Sequence, residues 1–240
     1  MSISNSISRF AAYFKRNGLR ATAYRAGLAI RRSLLSSRMV LFYCDLSTLS
    51  LPNADLPSAL KVERHRNPTD LSPQDLEQIT SFWNPAQARR NIEERFELGA
   101  SLWLIWFEDK LAGYGWTLQG RTVEPHYFQL GEDDVHLFDF QVFPQYRGRG
   151  VNPSLVSNIL RSLVAECHGR AFIEAAEWNQ SQLASLGRTR FHRLGSARKL
   201  TILRRTIVCW VRDRTAEQKH SKKTSLATGS KTPSIRDLQA

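Results

Sequence analysis

The residue pattern of this 240-residue chain predicts an α/β (α+β) fold, a mixed central sheet with helices on its faces. Three observations carry that expectation. Strand-like runs and helix-like periodicity alternate from about residue 58 to residue 211. Their order is strand, two helices, three strands, helix, strand, helix and one or two closing strands, which suits neither an all-α nor an all-β architecture. One strand, 135–143, passes through a turn with two glycines straight into a helix.

The elements follow in chain order. Residues 5–37 space Phe10, Tyr13, Phe14, Leu28 and Leu35 among Arg9, Lys15, Arg16, Arg20, Arg25, Arg31 and Arg32, which predicts a basic amphipathic helix over the 1–39 extension. Three readings stay open for it: the surface of an anionic membrane, a targeting segment, or packing on its own domain or a partner. A short strand at 40–44 and a connector reaching Pro57 follow, so 40–57 reads as strand and linker ahead of a domain at 58–211. Residues 60–66 alternate as a strand. Ser72-Pro73 starts a helix to about 83, and Pro85 starts a second, closed by Gly99. Residues 101–107 (SLWLIWF) form a buried strand, 108–110 a hairpin turn, and 111–119 the return strand with Gly113 and Gly115 inside it. A further strand is expected at 126–130. After the long strand come a helix at 151–168 with Leu155, Ile159, Leu160 and Leu163 on its apolar face, a strand at 171–177, a short helix at 179–188, and closing strands at 191–211. Residues 212–240 lose apolar side chains and read as a disordered polar tail.

Composition excludes several classes. No run approaches the ~20 apolar residues of a membrane-spanning helix, and the first residues do not read as a secretory signal. Cys44, Cys167 and Cys209 form no CxxC pair and have no histidine at metal-ligand spacing, so reduced, mostly buried thiols and no metal are expected. A cytoplasmic location follows, with the inner face of a membrane open through residues 5–37. The net charge of +12 raises nucleic acid as a partner. Residues 1–39 hold eight basic and no acidic residues, 212–240 hold seven and three, and 40–211 balance to zero. The basicity therefore belongs to the extensions, and nucleic acid is not the expected ligand of the central domain. Within that centre, 40–139 has 16 acidic and eight basic residues, whereas 140–211 has three acidic and 11 basic. Either the second part suits an anion and the first a cation, or the two halves neutralise each other across the sheet.

The chemistry concentrates in residues 138–154, FDFQVFPQYRGRGVNPS. The first turn of a helix has backbone N–H groups without intrahelical partners, and the macrodipole adds attraction for anions. Gly148 and Gly150 allow close approach, and Arg147 and Arg149 add charged donors. A pyrophosphate fits such a turn. The segment is not a Walker loop, since no Gly-Lys-Ser/Thr follows, and not a dinucleotide fingerprint, since Pro153 stands where a third glycine would be.

Gln145-Tyr146-Arg147-Gly148-Arg149-Gly150 resembles the Q/R-x-x-G-x-G/A signature of the GNAT superfamily of N-acetyltransferases. Val142-Phe143-Pro144 ahead of it is similar to that family's strand ending, and Asn179 with Phe191 twelve residues later resembles its second signature. The resemblance covers about 58–211. It implies a sheet splayed between two parallel strands, with acetyl-CoA or another acyl-CoA in the opening. The pantetheine arm would lie on the backbone of Phe140, Gln141 and Val142, the pyrophosphate on the amides of Arg147 to Asn152, including Val151, and Asn179 beside the arm. Gln145, Arg147, Gly148, Arg149 and Gly150 complete the cofactor-binding set. The reaction implied is direct attack of an amine on the thioester, with a small molecule or envelope precursor as acceptor. Candidate bases, in order, are Asp139, Glu177 and His136, and strand alternation places Asp139 on the face opposite Phe138, Phe140 and His136. Pro153 lacks an N–H, Arg190 replaces a frequent glycine, and Leu186 stands where the family often has a tyrosine acid. Those departures keep a non-catalytic acyl-CoA binder as the alternative, beside a protein that meets nucleic acid through its tails.

Overall fold

The computed structural model describes residues 38–49, 56–81, 84–124, 126–202 and 205–211. The amphipathic helix expected at 5–37 and the tail expected at 212–240 lie outside them. Eight strands form one sheet: β1 (Met39–Asp45), β2 (Leu60–His65), β3 (Ser101–Phe107), β4 (Lys110–Gln119), β5 (Asp134–Val142), β6 (Arg170–Ala176), β7 (His192–Ile202) and β8 (Arg205–Val211). Among the described residues four α-helices accompany them: α1 (Pro73–Thr80), α2 (Pro85–Glu97), α3 (Val151–Ala165) and α4 (Gln180–Leu186). The strand order is β2-β3-β4-β5-β6-β1-β7-β8. Every pairing is antiparallel except β5 with β6.

Two layers cover the sheet because the central strands are apolar on both faces. Along β3, Trp103 and Ile105 join the layer beneath α3, whereas Leu102 and Leu104 join the layer beneath α1 and α2. The stripe Val151, Leu155, Val156, Ile159, Leu160 and Leu163 seats α3, and Ala88, Ile92 and Phe96 seat α2. Glu108 and Asp109 turn the β3–β4 hairpin with φ of 48° and 59°, the signature of a tight two-residue turn.

The sequence boundary at residue 57 does not fall at an edge of the sheet. β1, from the segment read as strand and linker, pairs with β6 on one side and β7 on the other. Its near-continuous burial, Val40 to Cys44, is the property of a central strand. The segment 126–130 is not a strand. Tyr127 and Leu130 are buried against the sheet, but this stretch belongs to the connection between β4 and β5. The cysteines also differ from expectation: Cys44 is buried, while Cys167 and Cys209 are exposed.

The β5–β6 pair positions everything that follows. It is paired only from Asp134↔Arg170 to Leu137↔Ile173, although β5 continues to Val142 and β6 to Ala176. The two strands part beyond that point. The closed end is locked by Asp134, which is 4% exposed and accepts hydrogen bonds from Arg170 Nε (2.8 Å), Arg170 Nη2 (2.9 Å) and Gly131 N (2.8 Å). Asp134→Ala removes a bidentate pair that spans both strands. Arg170 keeps partial access to water, which limits the loss to about 2 kcal/mol by urea denaturation.

Candidate acyl-CoA and acceptor sites

Beyond the parting point lies a cleft of about 520 Å³ between β5, the start of α3 and α4. Phe140, Gln141, Val142, Arg147, Gly148, Gly150, Val151, Asn152 and Asn179 all line it. These are nine of the residues that the sequence singled out for the cofactor. Gln145 is exposed in the short turn Pro144–Tyr146 and does not reach the cleft. Arg149 turns its guanidinium over the ring of Phe107, 5.3 Å from its centre, and does not line it either.

The α3 start is open because of its cap. Ser72, Asn84 and Asn179 cap α1, α2 and α4 with side-chain oxygens, but α3 has Gly150 at that position, with φ of 77° and no side-chain hydrogen bond. The Val151 and Asn152 N–H groups precede the first intrahelical bond, from Ser154 N to Gly150 O. Pro153, one residue further, offers no N–H. The Asn152 side chain donates to Ser185 Oγ at 2.8 Å and ties α3 to α4 across the cleft. Asn179 Oδ1 accepts from Gln182 N at 3.2 Å, so this residue shapes the cleft by capping α4. Sequence reasoning missed Tyr146 and Arg188, which also line the cleft, the latter adding a cation where an anion is expected.

A second cavity, about 330 Å³, lies on the other face between α1, α2 and the sheet. Asn84, Gln87, Asn91 and Arg95 reach it from α2, Tyr114 and Trp116 from β4, and Asp139 from β5. Asp139 enters it through a bulge. The β4–β5 register shifts between Tyr114 and Trp116, and Asp139 has φ of 50°. The bulge overturns the strand parity expected from sequence. Phe138 packs in the α1–α2 layer and Phe140 in the α3 layer, so two residues expected on one face take opposite ones. Asp139 therefore shares its face with Phe138 and with His136, whose ring stacks on Phe138 at 5.2 Å and 15°.

The three candidate bases thus occupy different settings. Asp139 Oδ2 accepts from Arg95 Nη1 at 2.6 Å, and Arg95 lies over the rings of Trp116 and Phe138. His136 is buried and its Nε2 is 2.8 Å from Glu174 Oε2. Glu177 lies outside both cavities, past the end of β6, where it pairs with Arg38 at 3.1 Å. Glu174, unnoticed in the sequence, is the lone acid within the strand RAFIEAA and the first β6 residue beyond the last β5–β6 pair. Burial works to raise its carboxyl, but the charge and hydrogen bond of His136 prevail and hold it below the ordinary value. Leu186, where a tyrosine acid was sought, is fully buried in the core with α3.

The parted strands, the uncapped helix and the cleft between them are what the resemblance implied, and the family comparison decides the matter. The family model of the GNAT acetyltransferases matches residues 69–195, more than half of the chain. The chain belongs to the GNAT acetyltransferase family. Membership supports N-acetyltransferase activity in general, with acyl-CoA as co-substrate. β1 lies ahead of the matched residues, yet this GNAT sheet is continuous only through it.

Several solved structures are similar to this chain. The glucosamine N-acetyltransferase region of a fungal multi-domain β-N-acetylglucosaminidase is 14% identical at a TM-score of 0.51, over 76% of this chain and 23% of that one. A GNAT-family acetyltransferase from Colwellia psychrerythraea is 14% identical at a TM-score of 0.47, over 78% and 60%. A tandem GNAT protein from the clavulanic acid pathway is 13% identical at 0.46, over 70% and 55%. The chain thus spans less than two thirds of each of these chains. The search of curated proteins found no match. No helix among the described residues is long and apolar enough to cross a membrane.

Proposed function

We propose that this GNAT protein transfers an acyl group, in the first instance acetyl, from acyl-CoA to the amine of a small polar acceptor. One observation carries the reading: the β5–β6 pairing stops at Leu137↔Ile173 and the uncapped start of α3 faces the resulting cleft. The pantetheine arm pairs with the free edge of Phe140 to Val142 as an added strand would. The pyrophosphate rests on the Val151 and Asn152 amides, with Arg147 and Arg188 as charged neighbours. A backbone N–H near Val142 polarises the thioester carbonyl.

The acceptor enters from the opposite face, through the cavity beneath α2. Three side-chain amides, Asn84, Gln87 and Asn91, line it, and its charged groups, Arg95 and Asp139, are paired with each other. Trp116 also lines it, and its buried indole N–H has no partner. Such a lining suits hydroxyl and amide groups, as on an amino sugar, better than a polyamine, because the acid is already neutralised. Asp139 is the carboxylate in this cavity and takes the amine proton, with Arg95 fixing its orientation.

The test is calorimetry of the full chain with acetyl-CoA and longer acyl-CoAs, followed by turnover on a panel of amino sugars and polyamines. Acyl-CoA binding with release of free CoA in the presence of an amino sugar is the expected outcome. Asp139→Asn lowers kcat at least about 100-fold with little change in acetyl-CoA affinity. Binding without turnover on any amine favours the non-catalytic alternative, and no acyl-CoA binding defeats both.

A further inference from the structure

A group of side chains outside both cavities remains unused. His126 lies in the connection between β4 and β5, His136 on β5 and Glu174 on β6. One potential ligand atom from each lies within 4.8 Å of the others. The two imidazole rings are 4.9 Å apart, and Glu174 Oε2 already stands 2.8 Å from His136 Nε2. His136 is 5% exposed. Two ring nitrogens here, His126 Nε2 and His136 Nδ1, are buried without a hydrogen-bond partner. Buried polar atoms in native proteins are nearly always satisfied, so each orphaned nitrogen asks for an ion or a water.

We propose that His126, His136 and Glu174 form a site for a divalent first-row transition metal, with zinc as the reference ion. Two imidazoles and one carboxylate are a ligand set that such ions take, leaving a fourth position for water. A tetrahedral zinc needs its ligand atoms about 3.3 Å apart, at ~2.0–2.1 Å from the metal. An ion would need the His126 and Glu174 side chains to swing toward His136 to reach that spacing. The ion would pin the β4–β5 connection to the two strands just where they part, beside the closed end of the cleft. Nothing in residue spacing announces such a site, because its members come from positions 126, 136 and 174 and meet only in the folded sheet.

The experiment uses the full, untagged chain after dialysis against chelator. Calorimetry with Zn²⁺ and metal analysis after equilibrium dialysis should find one ion per chain, and zinc should raise the melting temperature. Co²⁺ should give visible absorption bands without the sulfur-to-metal band of a thiolate site. His126→Ala and Glu174→Gln should each weaken zinc binding at least about 100-fold while keeping a cooperative melt in the absence of metal. Cys167→Ser with Cys209→Ser should bind zinc as the parent does. Absence of stoichiometric zinc in the parent, or binding that survives both His126→Ala and Glu174→Gln, overturns the proposal. None of these readouts depends on acyl-CoA or on turnover, so failure here is separate from failure of the acyltransferase reading.

Discussion

Gly150→Glu weakens acetyl-CoA binding by at least about 100-fold, close to ~2.8 kcal/mol, in calorimetry at fixed salt. Gly150 is the cap residue of α3 and lines the cleft. A Cβ added there meets nothing within 4 Å, so the new side chain has room and the fold is not jammed. The carboxylate would instead lie at the helix start, claim the amides meant for a phosphate and repel the ligand's own charge. The φ of 77° adds backbone strain of about 1 kcal/mol, which a thermal melt reads independently. Gly150→Ala carries the strain without the charge. It should keep most of the affinity, and an equal loss in both variants would show that backbone geometry, not anion attraction, governs the site.

Gly113→Val is the largest expected stability change, a loss of about 3 kcal/mol in urea denaturation, or failure to accumulate as folded protein. Gly113 lies on β4 opposite Val142. A Cβ at this position would stand 2.5 Å from the carbonyl oxygen of Gln141 and 3.2 Å from Val142 Cα. Both are backbone atoms, so no side-chain rotation relieves the clash. β4 and β5 would have to move apart in the stretch of β5 that borders the cleft. Variants that do fold should lose acyl-CoA affinity as well. A folded Gly113→Val with parental stability and parental binding would show that β5 is not held where the structure places it. Gly115 offers the contrast, since the three atoms nearest an added Cβ there all belong to the Phe140 side chain.

Much of this was legible before folding. Phosphate-binding turns are local objects: a strand, a short run of small residues and a helix start, all contiguous in sequence. Residues 140–152 therefore reach the cleft largely as read, and Asn179 joins them because the next strand and helix follow at ordinary spacing. The two exceptions are instructive. Gln145 and Arg149 are inside the motif but turn away, because side-chain direction in a turn depends on packing partners such as Phe107, which is remote in sequence. Strand parity failed at Asp139 for a related reason. A bulge is set by pairing with β4, and one residue in the left-handed region moves Phe138 and Phe140 to opposite faces.

The sequence by itself determined the helices with their proline starts, the two-faced apolar strands, and the open helix head between Gly148 and Asn152. Each follows from residues within a few positions of one another, where local conformational preference and side-chain size suffice. Only the tertiary structure decided that β1 is a central strand and that β5 and β6 separate after four paired positions. It also decided that Arg95 meets Asp139 and that His126, His136 and Glu174 gather at one point. Those outcomes rest on which strands become neighbours, and that is settled by burying both faces of a whole sheet at once, a condition no local stretch of chain contains.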